Sequence, residues 1–218
     1  MKKTIFLIFL LCTGVFAQHK YELSGVPGYS VRFEVSDCER DYCSGDLKVR
    51  LSKKGSKAVF QEFRLQTDFS FWGDAPQTLS VIPYDKQGLI SFEDYNFDGI
   101  DDLAIQNGRD AAYGEGSYNI YIFSPRTGKF VYDKRFSALA TGPYTGMFSV
   151  NKKKRALENS SKSGCCWHEE VEFKIINNRP VKSYQRTEDA FSNDKWVIIT
   201  TGRLVKGRWR QTVEKKSQ

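Results

Sequence analysis

Histidine is almost missing from this chain: 218 residues contain two, His19 and His168. With so few bases, no nucleophile, general base and orienting acid can be assembled into a triad. Carboxylates are plentiful, but Glu169 and Glu170 are neighbours on a predicted strand and face opposite ways, which is wrong for two acids flanking one bond. The chain therefore reads as a protein that is not an enzyme. Beyond the first residues, no stretch approaches the roughly 20 apolar residues that cross a bilayer as a helix. Helical hydrophobic stripes are also lacking, which argues against a helical bundle. No second copy of the acidic segment Asp94 to Asp102 exists, so a regular propeller of equal units is disfavoured.

The N-terminus supplies the one long apolar run. Lys2 and Lys3 precede Ile5 to Cys12, and Val15-Phe16-Ala17 offers small residues for cleavage, so residues 1–17 read as a secretory signal and the mature chain is expected to start at Gln18. A lipid-bearing Cys12 is the weaker reading, because Leu11 is bulky for the preceding cleavage position. The expected location is the periplasm, with full secretion as the variant. Loss of Lys2 and Lys3 lowers the formal charge from +7 by two. The remaining basic excess is scattered. Its densest cluster, Lys152-Lys153-Lys154-Arg155, lies between two apparent strands and reads as a solvated turn, not a nucleic-acid site. Anionic cell-wall polymer or lipid headgroups stay open as weak partners of that cluster and of the basic stretch from Arg203 to Lys216.

Export makes four cysteines, Cys38, Cys43, Cys165 and Cys166, candidates for disulfides in an oxidising compartment. Cys38 and Cys43 bracket a predicted hairpin, where a bond is geometrically easy, and its partner would be a vicinal Cys165–Cys166 bond. The crossed pairing, which would staple that hairpin to the strand at Trp167, stays open. Zinc on Cys165, Cys166 and His168 is disfavoured, because adjacent cysteines cannot easily point at one ion.

Period two recurs through the chain. Leu47, Val49 and Leu51 alternate with Lys48 and Arg50, and Val171, Phe173 and Ile175 alternate with Glu170, Glu172 and Lys174, the pattern of strands with one wet face. Further strands are predicted at 29–35, 57–66, 78–84, 100–106, 117–124, 128–135, 145–151, 180–186, 194–201 and 205–213. Short links such as Asn177-Asn178 and Lys206-Gly207 have hairpin length. In 117–124 Tyr118, Ile120 and Ile122 face one way and Tyr121 and Phe123 the other, which marks a central strand. The expectation is an all-β domain over residues 18–218, an antiparallel meander closing as a β-sandwich or an irregular propeller-like arrangement.

The sharpest motif is Asp94-Tyr95-Asn96-Phe97-Asp98-Gly99-Ile100-Asp101-Asp102. Side-chain oxygens of Asp94, Asn96 and Asp98, the backbone carbonyl of Ile100 and the carboxylate of Asp102 can wrap a hard cation, with Gly99 where the chain must turn. Calcium suits such donors, and the three carboxylates would repel one another without it. The loop matches an EF-hand in its first nine positions only, and its flanks look like strands, so a structural ion is expected in place of a helical calcium switch. Asp101 reads as a bystander. After it comes Asn107 to Tyr118, with three glycines, two tyrosines, an acid and a serine. Such a loop can project an aromatic side chain with a polar tip, a composition suited to protein recognition. An ion at its base would preorganise it.

Taken together, the calcium loop, the glycine-rich segment leading into Ser117-Tyr118-Asn119-Ile120-Tyr121, and the distant Ser163-Gly164-Cys165-Cys166-Trp167-His168 carry a resemblance over residues 90–186. This region resembles a family of bacterial periplasmic calcium-binding proteins. The family includes immunity proteins against lysozyme-like effectors of antibacterial type IV secretion systems, and is similar to periplasmic inhibitors of invertebrate-type lysozymes. The resemblance implies a protein that inhibits a peptidoglycan-degrading enzyme by inserting a loop into its active site. Carried over, the partner-binding residues are Tyr113, Glu115, Gly116, Ser117 and Tyr118. The inhibitors hold a serine, glycine and tyrosine close together, whereas here the glycine and tyrosine are kept and the serine is moved. The alternative from the residues themselves is a calcium-stabilised envelope or surface module that binds without inhibiting.

Overall fold

The structure, a computed structural model, describes residues 19–71, 80–192 and 195–217; the expected signal 1–17 lies outside them. Fifteen strands, one short α-helix and two single-turn 3-10 helices are present among the described residues. The first sheet contains β1 (His19–Ser24), β2 (Tyr29–Glu39), β3 (Tyr42–Lys53), β4 (Val59–Ser70) and β5 (Ser80–Pro83) in the order β4-β3-β2-β1-β5. Only the β1–β5 pair in it is parallel. The second sheet is β6 (Ile90–Glu93), β7 (Asp102–Gly108), β8 (Ser117–Ser124) and β9 (Lys129–Tyr132), paired in chain order. Then come α1 (Lys134–Ser137) and a six-stranded meander of β10 (Ser149–Asn151), β11 (Ala156–Ser163), β12 (Trp167–Ile176), β13 (Arg179–Asp189), β14 (Trp196–Val205) and β15 (Arg208–Ser217).

The second sheet is the middle layer, and alternation along β7 explains why. Leu103 and Ile105 join Val31, Phe33, Val49 and Phe69 of the first sheet in one apolar core. Ala104, from the opposite face of β7, joins Ile120, Phe136, Leu157, Val171 and Phe173 in a second core under the meander. β8 does the same, with Tyr121 and Phe123 against the first core and Ile120 and Ile122 in the second. A strand buried on both faces has to be apolar at consecutive positions, which is how 117–124 reads. The fold is thus an all-β sandwich of layered sheets.

Tight turns follow the residues that tolerate left-handed backbone. Asn177 and Asn178 both have positive φ, as do Lys206 and Gly207, the geometry that matches the twist of two-residue hairpins. His19 pairs with Val35 as the first residue of β1. Two expectations need correction. The strand predicted at 128–135 stops at Tyr132, because Asp133 caps α1 by accepting from the amides of Arg135 and Phe136. Of 145–151, only Ser149–Asn151 is strand. β11, with its polar run Glu158 to Ser163, was not predicted; it is held by pairing to β12 along its whole length.

The structure bonds Cys38 to Cys43 and Cys165 to Cys166. Cys38 and Cys43 face each other across the β2–β3 hairpin, so the local pairing is the one present.

Candidate functional site

The acidic loop joins β6 to β7 in the middle layer. Phe97 and Gly99 both adopt positive φ, and this curls the chain so that side chains and amides meet inside the turn. One carboxylate oxygen of Asp94 accepts from the Asp98 amide at 3.0 Å and the other from the Gly99 amide at 2.8 Å. The amide of Asp98 also donates to Asn96 Oδ1, the Asn96 amide group donates to Asp98 Oδ2 at 2.8 Å, and Asp98 Oδ1 accepts from Ile100. Asp94, Asn96 and Asp98 are therefore gathered into one network, with Asp98 on the solvent side and Asn96 buried.

Asp102 differs in kind from those three. Its carboxylate is fully buried. It accepts from the amides of Tyr95 at 2.9 Å, Asn96 at 3.3 Å and Phe123 at 2.8 Å. Burial, with the negative charge of Asp98 adding to it, pushes its pKa up to about 7 against the pull of those amides. A carboxylate offers about four lone-pair sites, so three accepted bonds leave room for one further interaction. Asp102 ties the loop to β8 as well as closing it.

The donor set fits a hard cation in chemistry: carboxylate, amide and backbone oxygens, with no sulfur or imidazole. Among the described residues, no three His, Cys, Asp or Glu side chains are grouped so as to hold an ion by themselves. An ion here would depend on the Asn96 side-chain oxygen and the Ile100 carbonyl, and would replace the Asn96–Asp98 contact. Asp101 is exposed.

The basic turn closes over this loop, which the sequence reading missed. Arg155 donates to the Phe97 carbonyl at 2.6 Å and lies 5.4 Å from the centre of its ring. Lys152 pairs with Glu93 at 3.4 Å, and Lys154 with Glu158 and Glu172. The turn is exposed between β10 and β11, as expected, and three of its four basic residues also meet partners within the chain. Opposite charge on the two segments is the signal that could have paired them.

The segment after β7 divides into an inner and an outer part. Ser117 is buried, its hydroxyl donating to Asn107 Oδ1 and accepting from the Asp110 amide. Tyr118 is half-buried and donates to the Gly88 carbonyl at 3.0 Å. Gly116 packs against Gln106 so closely that a Cβ would lie 2.9 Å from its side-chain nitrogen. These three hold the segment in place. Tyr113 and Glu115 are exposed, Tyr113 at 60%, and are the two carried-over residues that a partner can reach.

Tyr113 is exposed but not loose. Its hydroxyl accepts from the Gly164 amide at 2.8 Å, and the Lys162 ammonium sits 4.8 Å from its ring centre. The turn that carries the Cys165–Cys166 bond therefore braces it. Tyr113 and Glu115 line an open groove of about 470 Å³ together with Lys162, His168, Glu170 and Arg186. With both sulfurs bonded to each other, neither cysteine is a thiolate ligand beside His168.

No family model matches the chain, and no curated protein matches it. Among solved structures, one described as that of a Xanthomonas type IV secretion system related protein has a similar fold. Its TM-score is 0.63 at 22% identity, covering 88% of this chain and 92% of that one.

Proposed function

We propose that this chain is an exported, calcium-binding protein that inhibits a lysozyme-like peptidoglycan hydrolase, in an immunity or lysozyme-inhibitor role, and that it contacts the enzyme through Tyr113 and Glu115. The observation that carries the reading is the bracing of an exposed tyrosine. Tyr113 stands on a segment whose base is fixed by Ser117 and Tyr118 and whose tip is held by Gly164. An aromatic side chain already immobilised before contact loses little entropy on binding, which favours recognition. The fold likeness to a protein described as type IV secretion system related supports the same association for this chain.

Calcium has a definite part in this reading. Asp94, Asn96, Asp98, the Ile100 carbonyl and Asp102 would hold the ion. The ion neutralises the clustered carboxylates and stiffens the start of β7, from which the Tyr113 segment departs.

The test is binding of the full mature chain to purified peptidoglycan hydrolases, read by complex formation and by loss of lytic activity. Tyr113→Ala is expected to weaken a complex by roughly 2 kcal/mol or more, the scale of an interface hot spot, with the fold intact. Equal binding by Tyr113→Ala, or recovery of cell-wall polymer with no lytic enzyme, would count against inhibition and favour the envelope-module alternative.

A further inference from the structure

The β14–β15 hairpin contributes no residue to either core; Ile199 and Gly202 are its buried positions, and every residue of β15 is exposed. From Trp196 to Val213 it contains four basic residues, Arg203, Lys206, Arg208 and Arg210, and no acidic one. The register places Arg203 directly across from Arg210. Like charges opposite each other on one face destabilise a strand pair. Among the described residues, no ion pair to a carboxylate relieves any of the four. Arg203 stacks on Tyr184 at 4.5 Å.

Between these cations the tip is apolar. Leu204 pairs with Trp209 on one face, and Val205 pairs with Arg208 on the other. The Trp209 ring lies flat over Gly202, where a Cβ would come within 2.2 Å of it, yet the side chain remains 39% exposed. Val205 is 47% exposed.

We propose that this tip, Arg203 to Arg210, is a contact site for an anionic phospholipid surface. The arrangement selects that occupant. Arg203, Arg208 and Arg210 share one face with Val205, and Leu204 and Trp209 share the other, so a rigid partner meeting one face would leave the other unused. A bilayer interface met end-on offers apolar depth to Leu204, Val205 and Trp209, and phosphate to the arginines beside them and to Lys206 at the turn. Tryptophan is at home at that boundary. Arginine and lysine along β15 also discourage another chain from adding a strand to its edge.

The test is co-sedimentation of the full mature chain with vesicles of phosphatidylcholine alone and of phosphatidylcholine mixed with phosphatidylglycerol, at rising salt. Binding is expected only to the mixed vesicles and is expected to weaken with salt. The double variant Arg208→Gln with Arg210→Gln should bind roughly twentyfold more weakly, and Lys206→Asn, which suits the left-handed turn, about fivefold, from the typical contribution of one basic residue near an anionic surface. Tryptophan emission should shift to the blue with mixed vesicles, and the shift should disappear in Trp209→Phe, which keeps a ring over Gly202. Equal binding to both vesicle types, or a double variant that binds like the parent, overturns the proposal. So does binding to a soluble polyanion such as heparin with no binding to vesicles.

Discussion

The β2–β3 and β14–β15 hairpins are both long, antiparallel and built on the same two-residue period, yet they live in opposite environments. Val31, Phe33 and Val35 on β2, and Leu47, Val49 and Leu51 on β3, are at most 2% exposed. All of β15 is exposed. Alternation therefore specifies a pleat and a face, but burial depends on another layer coming to cover that face. The middle sheet covers β2 and β3, whereas nothing among the described residues covers the tip of the last hairpin.

That contrast predicts its largest effect in stability. Phe33→Ala should lower the unfolding free energy by about 3–5 kcal/mol, because it removes a ring from a filled core, whereas Val213→Ala should change it by no more than about 0.5 kcal/mol. Urea denaturation of both variants checks the pair, and similar losses would mean that the outer hairpin is packed after all.

A second buried region depends on polar contacts. Asp102→Ala leaves the amides of Tyr95, Asn96 and Phe123 without their acceptor, and should cost about 2–4 kcal/mol. The same substitution at exposed Asp101 should be nearly silent. Weaker still is the clasp from the basic turn: Arg155→Ala should cost about 1 kcal/mol, through loss of the Phe97 carbonyl bond and ring contact.

A small, pH-dependent effect is expected on the wet face of the first sheet. Burial alone would raise the Glu34 carboxyl, but hydrogen bonds and charge from Lys48 and Arg50 outweigh it and hold the group below its usual value of 4.5. A depressed folded pKa stabilises above the unfolded value and is lost as pH falls through the folded one. Glu34→Gln should thus cost up to about 1 kcal/mol at neutral pH and progressively less below about pH 4.5, checked by melting temperature against pH.

The layers explain what was legible beforehand. Residues 117–124 announce a doubly buried strand because both of their faces are apolar. The β12–β13 and β14–β15 hairpins announce themselves through Asn177-Asn178 and Lys206-Gly207. β11 was hidden because Glu158 to Ser163 carries no apolar alternation, and its strand form comes from its neighbour β12. In the site, the oxygen donors could be read from spacing within one turn. The inward role of Asp102, the grip of Arg155 on Phe97 and the bracing of Tyr113 by Gly164 each join segments more than 20 residues apart or depend on burial, and local spacing carries no record of either.

Calcium titration of the full mature chain, by calorimetry alongside thermal melting, tests the central claim most directly. One ion should bind per chain, and at a hundredfold excess over its dissociation constant it should add about 2.7 kcal/mol of stability. For a protein of this size that is a rise of roughly 5–10 °C in melting temperature, reversed by chelator and abolished in Asp98→Ala. No heat of binding and no change in melting temperature with calcium or chelator would contradict the account.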